Sequence, residues 1–215
     1  MKILLIDDHS VVRQGLKSML KEAFPEAHFG EAGTATEAMQ LVRSDSWHIV
    51  VLDIGLPGRD GVEVLKDIKH ERAELPVIML SMYPEDQFAV RVLKAGAAGY
   101  MTKETAAHEL VDAVRRVLSG ERYISAKLAQ HLAASLSGAA GAGGNAGAPL
   151  HDRLSDREYQ VMCLLASGKS VSQIADGLSL SVKTISTYRT HILQKMSMTS
   201  NAEIIRYALM NALVN

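Results

Sequence analysis

Residues 49–53 read Ile-Val-Val-Leu-Asp, an unbroken aliphatic run closed by a carboxylate. A strand with no polar alternation is buried on both faces, as the central strands of parallel sheets are. Outward from it, short apolar runs recur at Ile3–Ile6, His28–Ala32, Val77–Met82 and Gly99–Thr102. Between them lie segments with apolar residues three or four apart, such as Val62, Leu65 and Ile68, then Val90 and Leu93, and a fifth helix is expected over about Ala106–Leu118. This alternation predicts an α/β doubly wound fold, a five-stranded parallel sheet covered by helices on both faces. The second run is the weakest, because Gly30 and Glu31 suit an exposed or edge strand.

In 215 residues there is room for two domains, and the composition changes where a boundary is expected. A short helical stretch, Ala126–Leu136, leads into Ser137–Pro149, which reads SGAAGAGGNAGAP. Such a stretch is too poor in large apolar groups to offset its ordering entropy, so it is expected to act as a linker. A flexible chain of that length spans on the order of 20 Å. The organisation expected is therefore residues 1–122 as one domain, 123–149 as a helical extension and linker, and 150–215 as a second, all-helical domain. Residues 1–150 carry 16 Lys+Arg against 19 Asp+Glu, and 151–215 carry 7 against 5, an asymmetry whose sign suits a nucleic-acid module at the C-terminus. No apolar run is long enough for a membrane span, and Asp7-Asp8 interrupts the first one too early for a signal peptide, so a cytoplasmic protein is expected. Cys163, the one cysteine, lies in an apolar stretch and excludes an internal disulfide or a thiolate metal cluster.

In a parallel sheet, ligands bind beyond the carboxyl ends of the strands. Those ends carry Asp7-Asp8 after the first run, Asp53 after the third, Ser81 after the fourth and Lys103 near the fifth. Each alone reads as a cap, a strand-end hydroxyl or a surface lysine; together, at four strand ends, they describe one cleft. Three carboxylates that close repel one another, and a divalent cation with oxygen ligands relieves this; Mg²⁺ fits, since it accepts one or two carboxylates and leaves room for phosphate oxygens. With the metal present, Asp53 can attack phosphorus, Lys103 can neutralise a phosphoryl oxygen and Ser81 can donate to another.

Four blocks carry a resemblance. Ile3–His9 (ILLIDDH), Val50–Gly61 (VVLDIGLPGRDG), Val77–Tyr83 (VIMLSMY) and Ala95–Lys103 (AGAAGYMTK) resemble response-regulator receivers over roughly residues 1–122. The resemblance implies a flavodoxin-like strand order 2-1-3-4-5, with Asp53 as phospho-acceptor for a sensor histidine kinase. It also implies Asp8 as direct magnesium ligand, Asp7 as an outer ligand through water, the Gly55 carbonyl as a third metal contact, Ser81 and Tyr100 as a switch pair, and Lys103 as the phosphoryl clamp. Many receivers have proline after this lysine; here Glu104 follows, so no cis bond is assumed there.

From Leu150 onward helical patterns start at Ser155, Val171, Ser181 and Asn201, and Ser155 with Glu158 has the spacing of a capping box. Val171–Leu178, a brief turn and Val182–Met196 make two helices in sequence. On the second, Ile185, Ile192, Leu193 and Met196 share one face and Lys183, Ser186, Thr187, Thr190 and Gln194 the other. Short hydroxyls with cations beside them suit a major groove, with Lys169, Lys183, Arg189 and Lys195 for phosphates; a small docking domain with a solvated polar face fits the same pattern. Leu154–Met196 resembles the LuxR-type helix-turn-helix of NarL/FixJ regulators, which implies Val182–Met196 as recognition helix, a DNA-contacting set of Lys183, Thr184, Ser186, Thr187, Arg189, Thr190 and Lys195, and Asn201–Leu213 as a dimerisation helix. Together the two resemblances imply a phosphorylation-controlled DNA-binding transcription regulator of a two-component system, a homodimer when phosphorylated or DNA-bound, and not an enzyme beyond its own Mg²⁺-dependent phosphorylation and dephosphorylation. Two rivals stand beside it. One is a phosphatase or phosphotransferase with an aspartyl intermediate, disfavoured by adjacent acids at 7 and 8 followed by His9; the other is a constitutive DNA-binding module with a vestigial acidic site.

Overall fold

In the computed structural model of the chain, residues 1–82, 85–125, 128–130, 149–211 and 213–214 are described. The expected stretches 126–136 and 137–149 lie outside them, except for residues 128–130 and 149, as does Tyr83 of the third sequence block. The chain divides into two compact units, Met1–Ala129 and Gln130–Asn215.

The first unit alternates β1 (Lys2–Ile6), α1 (Ser10–Ala23), β2 (His28–Ala32), α2 (Ala35–Ser44), β3 (Ile49–Asp53), α3 (Gly61–Glu71), β4 (Val77–Ser81), α4 (Glu85–Lys94), β5 (Gly99–Thr102) and α5 (Lys103–Leu118). The strands pair in parallel in the order β2-β1-β3-β4-β5, as expected. β3 lies between β1 and β4, with Val50 opposite both Leu4 and Val77. Every residue of β3 and β4 is buried, which is why Ile49–Leu52 has no polar alternation. β2 pairs with β1 alone, and its outer residues are partly exposed, so the weak second run is an edge strand. Ile3, Leu5, Val51, Ile78, Leu80 and Met101 pack on one face against Leu16 and Leu20 of α1 and Leu110, Ala113 and Val114 of α5. Alternate residues, Leu4, Ile6, Val50, Leu52, Met79 and Tyr100, are equally buried and so belong to the opposite face. Each such aliphatic side chain withdrawn from water contributes about 1.5–3 kcal/mol, which makes the alternation costly to slip by one residue.

α5 starts at Lys103, three residues before the expected onset. Apolar spacing placed the start at Ala106, whereas the Thr102 hydroxyl accepts from the Thr105 N–H and so begins the helix at the end of β5. This puts Lys103 in the first helical turn.

The second unit opens with a 3₁₀ turn (Leu150–Arg153), followed by α6 (Asp156–Ala166), α7 (Val171–Gly177), α8 (Val182–Lys195) and α9 (Asn201–Met210). A serine caps each of the four: Ser155, Ser170, Ser181 and Ser200 accept from the N–H three residues on. Each such cap is worth about 1 kcal/mol. The expected Ser155–Glu158 capping box is formed, and a second joins Ser170 to Gln173. Between α7 and α8, Ser179 takes a left-handed conformation (φ 51°) and sets the turn. Ile174, Ile185, Ile192, Met196, Ile204, Ala208 and Cys163 are buried. α9 ends at Met210 rather than Leu213, capped by the Asn211 N–H, and the Leu213 N–H turns back to the Ala208 carbonyl at 2.9 Å. No helix among the described residues is long and apolar enough to cross a membrane.

Candidate functional site

At the C-terminal edge of the sheet the ends of β1 and β3 bring the acidic set together, and the start of α5 adds Lys103. Asp7 follows β1 directly, its N–H bonded to the Ala32 carbonyl at 3.1 Å, so the carboxylate is fixed by the β1–β2 edge. Asp53 is the last residue of β3. Behind it the chain must pass very close: a Cβ on Gly61 would stand 2.2 Å from the Asp53 carbonyl oxygen, so only glycine lets α3 begin there. The Lys103 ammonium lies between two carboxylates, 2.8 Å from Asp53 Oδ2 and 2.6 Å from Asp7 Oδ2. The Asp7 contact is an ion pair off the hydrogen-bond axis; Asp7 Oδ2 and Asp8 Oδ1, both shielded from solvent, accept no aligned hydrogen bond among the described residues.

Asp7 and Asp53 are almost wholly buried, at 1% and 3% exposure. Burial pushes the Asp53 carboxyl above its ordinary range; Lys103 opposes this and the Asp7 charge adds to it. For Lys103 burial works the other way, but the Asp53 and Asp7 carboxylates outweigh it and hold the ammonium above its usual value. Replacing Lys103 with methionine, which keeps the stem, leaves Asp7 and Asp53 side by side without a countercharge. In Mg²⁺-free buffer at neutral pH this should cost about 3–5 kcal/mol in denaturant unfolding, the penalty of an uncompensated buried charge. A carboxyl held above its ordinary range, as Asp53 is, costs stability as pH rises through its folded pKa, so the deficit should shrink as pH falls. A pH-independent deficit, or none, would show that Lys103 does not balance this pair.

Ser81 closes β4, fully buried and opposite Thr102. Tyr100 lies two residues before Thr102 on β5, opposite Met79, and its ring is completely buried. Gly55 stands beside Asp53, whose carboxylate accepts from the Gly55 N–H. Two neighbours were not anticipated. His9 directs its N–H to Asp7 Oδ1 at 2.8 Å and its Nδ1 to 2.7 Å from Asp8 Oδ1, and Arg13 reaches back from α1 to the Asp7 carbonyl at 2.5 Å. The i+2 position of His9 after Asp7 was the available signal. Asp7, Asp8, His9 and Asp53 each offer a ligand atom, all within 4.8 Å of one another. Three hard carboxylates this close together form a site that could bind a metal ion.

In the second unit α8 presents Lys183, Ser186, Thr187, Thr190 and Gln194 to solvent, with Ile185 and Ile192 buried. Ser186, Thr187 and Thr190 each donate to the carbonyl four residues back, at 2.9–3.0 Å. Their donors are occupied while oxygen lone pairs and threonine methyls remain. The other three expected DNA contacts are engaged within the unit. Thr184 Oγ1 lies 2.8 Å from Ser181 Oγ in the helix cap, Arg189 Nε donates to Asn201 Oδ1 at 2.6 Å, and Lys195 Nζ donates to Glu158 Oε2 at 2.6 Å. On α9, Ile204 and Ala208 face the core, Ile205 is half-buried, and Leu209 and Met210 are 54% and 81% exposed.

Comparison with known proteins agrees with both halves. The model of the response regulator receiver domain matches residues 3–115, and that of the bacterial regulatory proteins, luxR family, matches residues 152–208. Response regulator GacA of Pseudomonas aeruginosa is 35% identical, covering 100% of this chain and 98% of the relative. Response regulator UvrY of Escherichia coli K12 is 33% identical, covering 99% and 95%. Among solved structures, a LuxR-family two-component response regulator from Aurantimonas sp. SI85-9A1 is 34% identical over 63% of this chain and 97% of its own, with TM-score 0.58. RcsB of Salmonella enterica serovar Typhimurium, bound to promoter rprA with the phosphomimetic BeF₃⁻, is 25% identical over 96% and 97%, with TM-score 0.61. With both models matched in order along one chain, and relatives above 30% identity over nearly its full length, the chain belongs to the NarL/FixJ-type response regulators, a receiver domain followed by a LuxR-type DNA-binding domain.

Proposed function

We propose that Asp53 accepts a phosphoryl group from a sensor histidine kinase and that this controls binding of the C-terminal domain to double-stranded DNA. The observation that carries the reading is the Lys103 ammonium held between the buried Asp7 and Asp53 carboxylates at the sheet's carboxyl edge. Asp8, Asp53 and the Gly55 carbonyl would hold Mg²⁺, with Asp7 acting through water, and the cation would neutralise charge at the transferring phosphoryl. The Asp53 carboxylate oxygen bonds to phosphorus as the P–N bond of phosphohistidine breaks and the imidazole departs. Lys103 then moves its charge to a phosphoryl oxygen, the Ser81 hydroxyl donates to another, and the Tyr100 ring, already buried here, packs into the space the hydroxyl vacates. The acyl phosphate is the signal and no second substrate is turned over, so the chain acts as a regulator rather than an enzyme. Residues 1–122 carry this chemistry, 123–149 connect, and 150–215 bind DNA. Incubation with Mg²⁺ and acetyl phosphate followed by intact-mass measurement tests the acceptor.

For DNA, Lys183 supplies a phosphate contact, and Ser186, Thr187 and Thr190 meet base edges. Arg189, Lys195 and Thr184 also bond within the unit, so Lys183 gives the cleaner test. Lys183→Ala should weaken binding to all sequences and reduce the slope of affinity against salt by about one unit. Thr187→Ala or Thr190→Ala should instead change the preference among sites by ~1–3 kcal/mol. If neither class of change alters DNA binding, α8 faces something other than DNA.

A further inference from the structure

After α5 the chain turns back and is fastened to the receiver at two elements that flank its switch residues. The Tyr123 N–H donates to the Ala98 carbonyl at 2.9 Å, and Tyr123 bridges Gly99 in parallel, so it extends the β5 edge. A Cβ on Gly99 would stand 3.0 Å from both the Cβ and the carbonyl oxygen of Tyr123, so glycine makes room for this segment. The Tyr123 ring is buried and its hydroxyl donates to the Glu109 carboxylate on α5; burial and that carboxylate push the phenol well above its ordinary pKa. Two residues on, the Ser125 hydroxyl donates to the carboxylate of Glu85, the first residue of α4. Ser125 Oγ also accepts the Leu128 N–H at 3.1 Å, and Leu128 is buried.

Neither the phosphoryl chemistry nor the recognition helix uses these groups, yet their positions are specific. Glu85 is four residues beyond Ser81, and Gly99 immediately precedes Tyr100. Ser81 and Glu85 thus stand close in the chain at the end of β4 and the start of α4, and a move of the Tyr100 ring disturbs the strand edge that Tyr123 completes. Here the Tyr100 ring is buried while the Ser125–Glu85 bond is made.

We propose that Ser125 and Tyr123 are positioning residues that hold the start of α4 and the edge of β5 in the arrangement with Tyr100 inward, and so report the state of Asp53 at the point where the chain leaves for the DNA-binding domain. The inference rests on the reading of Asp53 as the phospho-acceptor. Coupling of this kind is reciprocal: if phosphorylation favours the fastened segment, the fastened segment favours phosphorylation. A hydroxyl-to-carboxylate bond is charge-assisted and breaks as one contact, which makes it separable from the core.

The test uses the full chain with Mg²⁺ and beryllofluoride, an equilibrium stand-in for the phosphoryl group. Ser125→Ala and Glu85→Ala should each lower beryllofluoride affinity about three- to tenfold, the scale of one lost hydrogen bond. The double variant should bind no more weakly than Ser125→Ala alone, because that change already removes the bond to Glu85 along with the Leu128 contact. Ser125→Thr, which keeps the hydroxyl, should bind like the natural chain. Unchanged beryllofluoride affinity in both alanine variants, even with a lower Tm, means that the segment is only structural and overturns the proposal, as do additive losses. If the natural chain itself takes up no beryllofluoride, the acceptor reading fails, and the coupling fails with it.

Discussion

An Asp53→Asn chain incubated with Mg²⁺ and acetyl phosphate should gain no phosphoryl mass, whereas the natural chain should gain one. The amide has the shape of the carboxylate but offers no anionic oxygen to attack phosphorus, so loss is expected to be complete rather than graded. Stability should move the other way. Asp53 is buried and its carboxyl is held above its ordinary range, so its ionisation opposes folding at neutral pH. Removing that charge also ends its repulsion with Asp7, while Lys103 keeps Asp7 as a partner at 2.6 Å. The variant should therefore melt at or above the natural chain's temperature in metal-free buffer, and the gap should close when Mg²⁺ is added to the natural chain. A phosphoryl mass on the Asn variant would move the acceptor elsewhere. A marked drop in metal-free stability would mean that Asp53 holds the fold together and that its loss of phosphorylation reports misfolding.

What could be read from sequence was whatever leaves a local pattern. Ile49–Asp53 is buried on both faces, and its pattern showed it; Asp7, Asp8, Asp53 and Lys103 stand at strand ends, so their meeting at one edge followed from strand order. The onset of α5 was missed because a threonine cap, not an apolar residue, sets it. Trp47 gave no hint of its place: its ring lies over Gly30 of the edge strand, 2.2 Å from where a Cβ would stand, and its Nε1 donates to the Leu41 carbonyl at 2.8 Å. Lys195 and Arg189 looked like free cations because their partners, Glu158 and Asn201, are 37 and 12 residues away. For α9 the period was visible but not its rotation: the same spacing fits either assignment of Ile204, Ile205, Ala208 and Leu209, and packing against α6 decides it. The fastening of Ser125 to Glu85, across 40 residues, leaves no trace in composition.

Phosphorylated chain should bind DNA carrying two properly spaced half-sites far more tightly than DNA carrying one, and unphosphorylated chain should show little of that advantage. One domain offers a short readout, a lysine and three hydroxyl side chains on the exposed face of α8. That is too few contacts for specific affinity, so the gain has to come from a second copy. When paired receivers hold two DNA-binding domains together, the second binding event becomes intramolecular, worth about 10²–10⁴ in overall affinity if the geometry permits both. Half-sites one helical turn apart place two recognition helices on the same side of the duplex. Leu209 and Met210, exposed and adjacent on α9, offer an apolar surface for the two domains to share. Leu209→Glu should then reduce the two-site advantage while leaving one-site binding and the incorporation of phosphate unchanged. A fragment spanning residues 150–215 distinguishes pairing from masking. Under pairing it should bind two-site DNA no better than unphosphorylated full chain; binding better than that would mean that the receiver covers α8. Equal affinity for the fragment, the unphosphorylated chain and the phosphorylated chain would mean that Asp53 does not control DNA binding by either route.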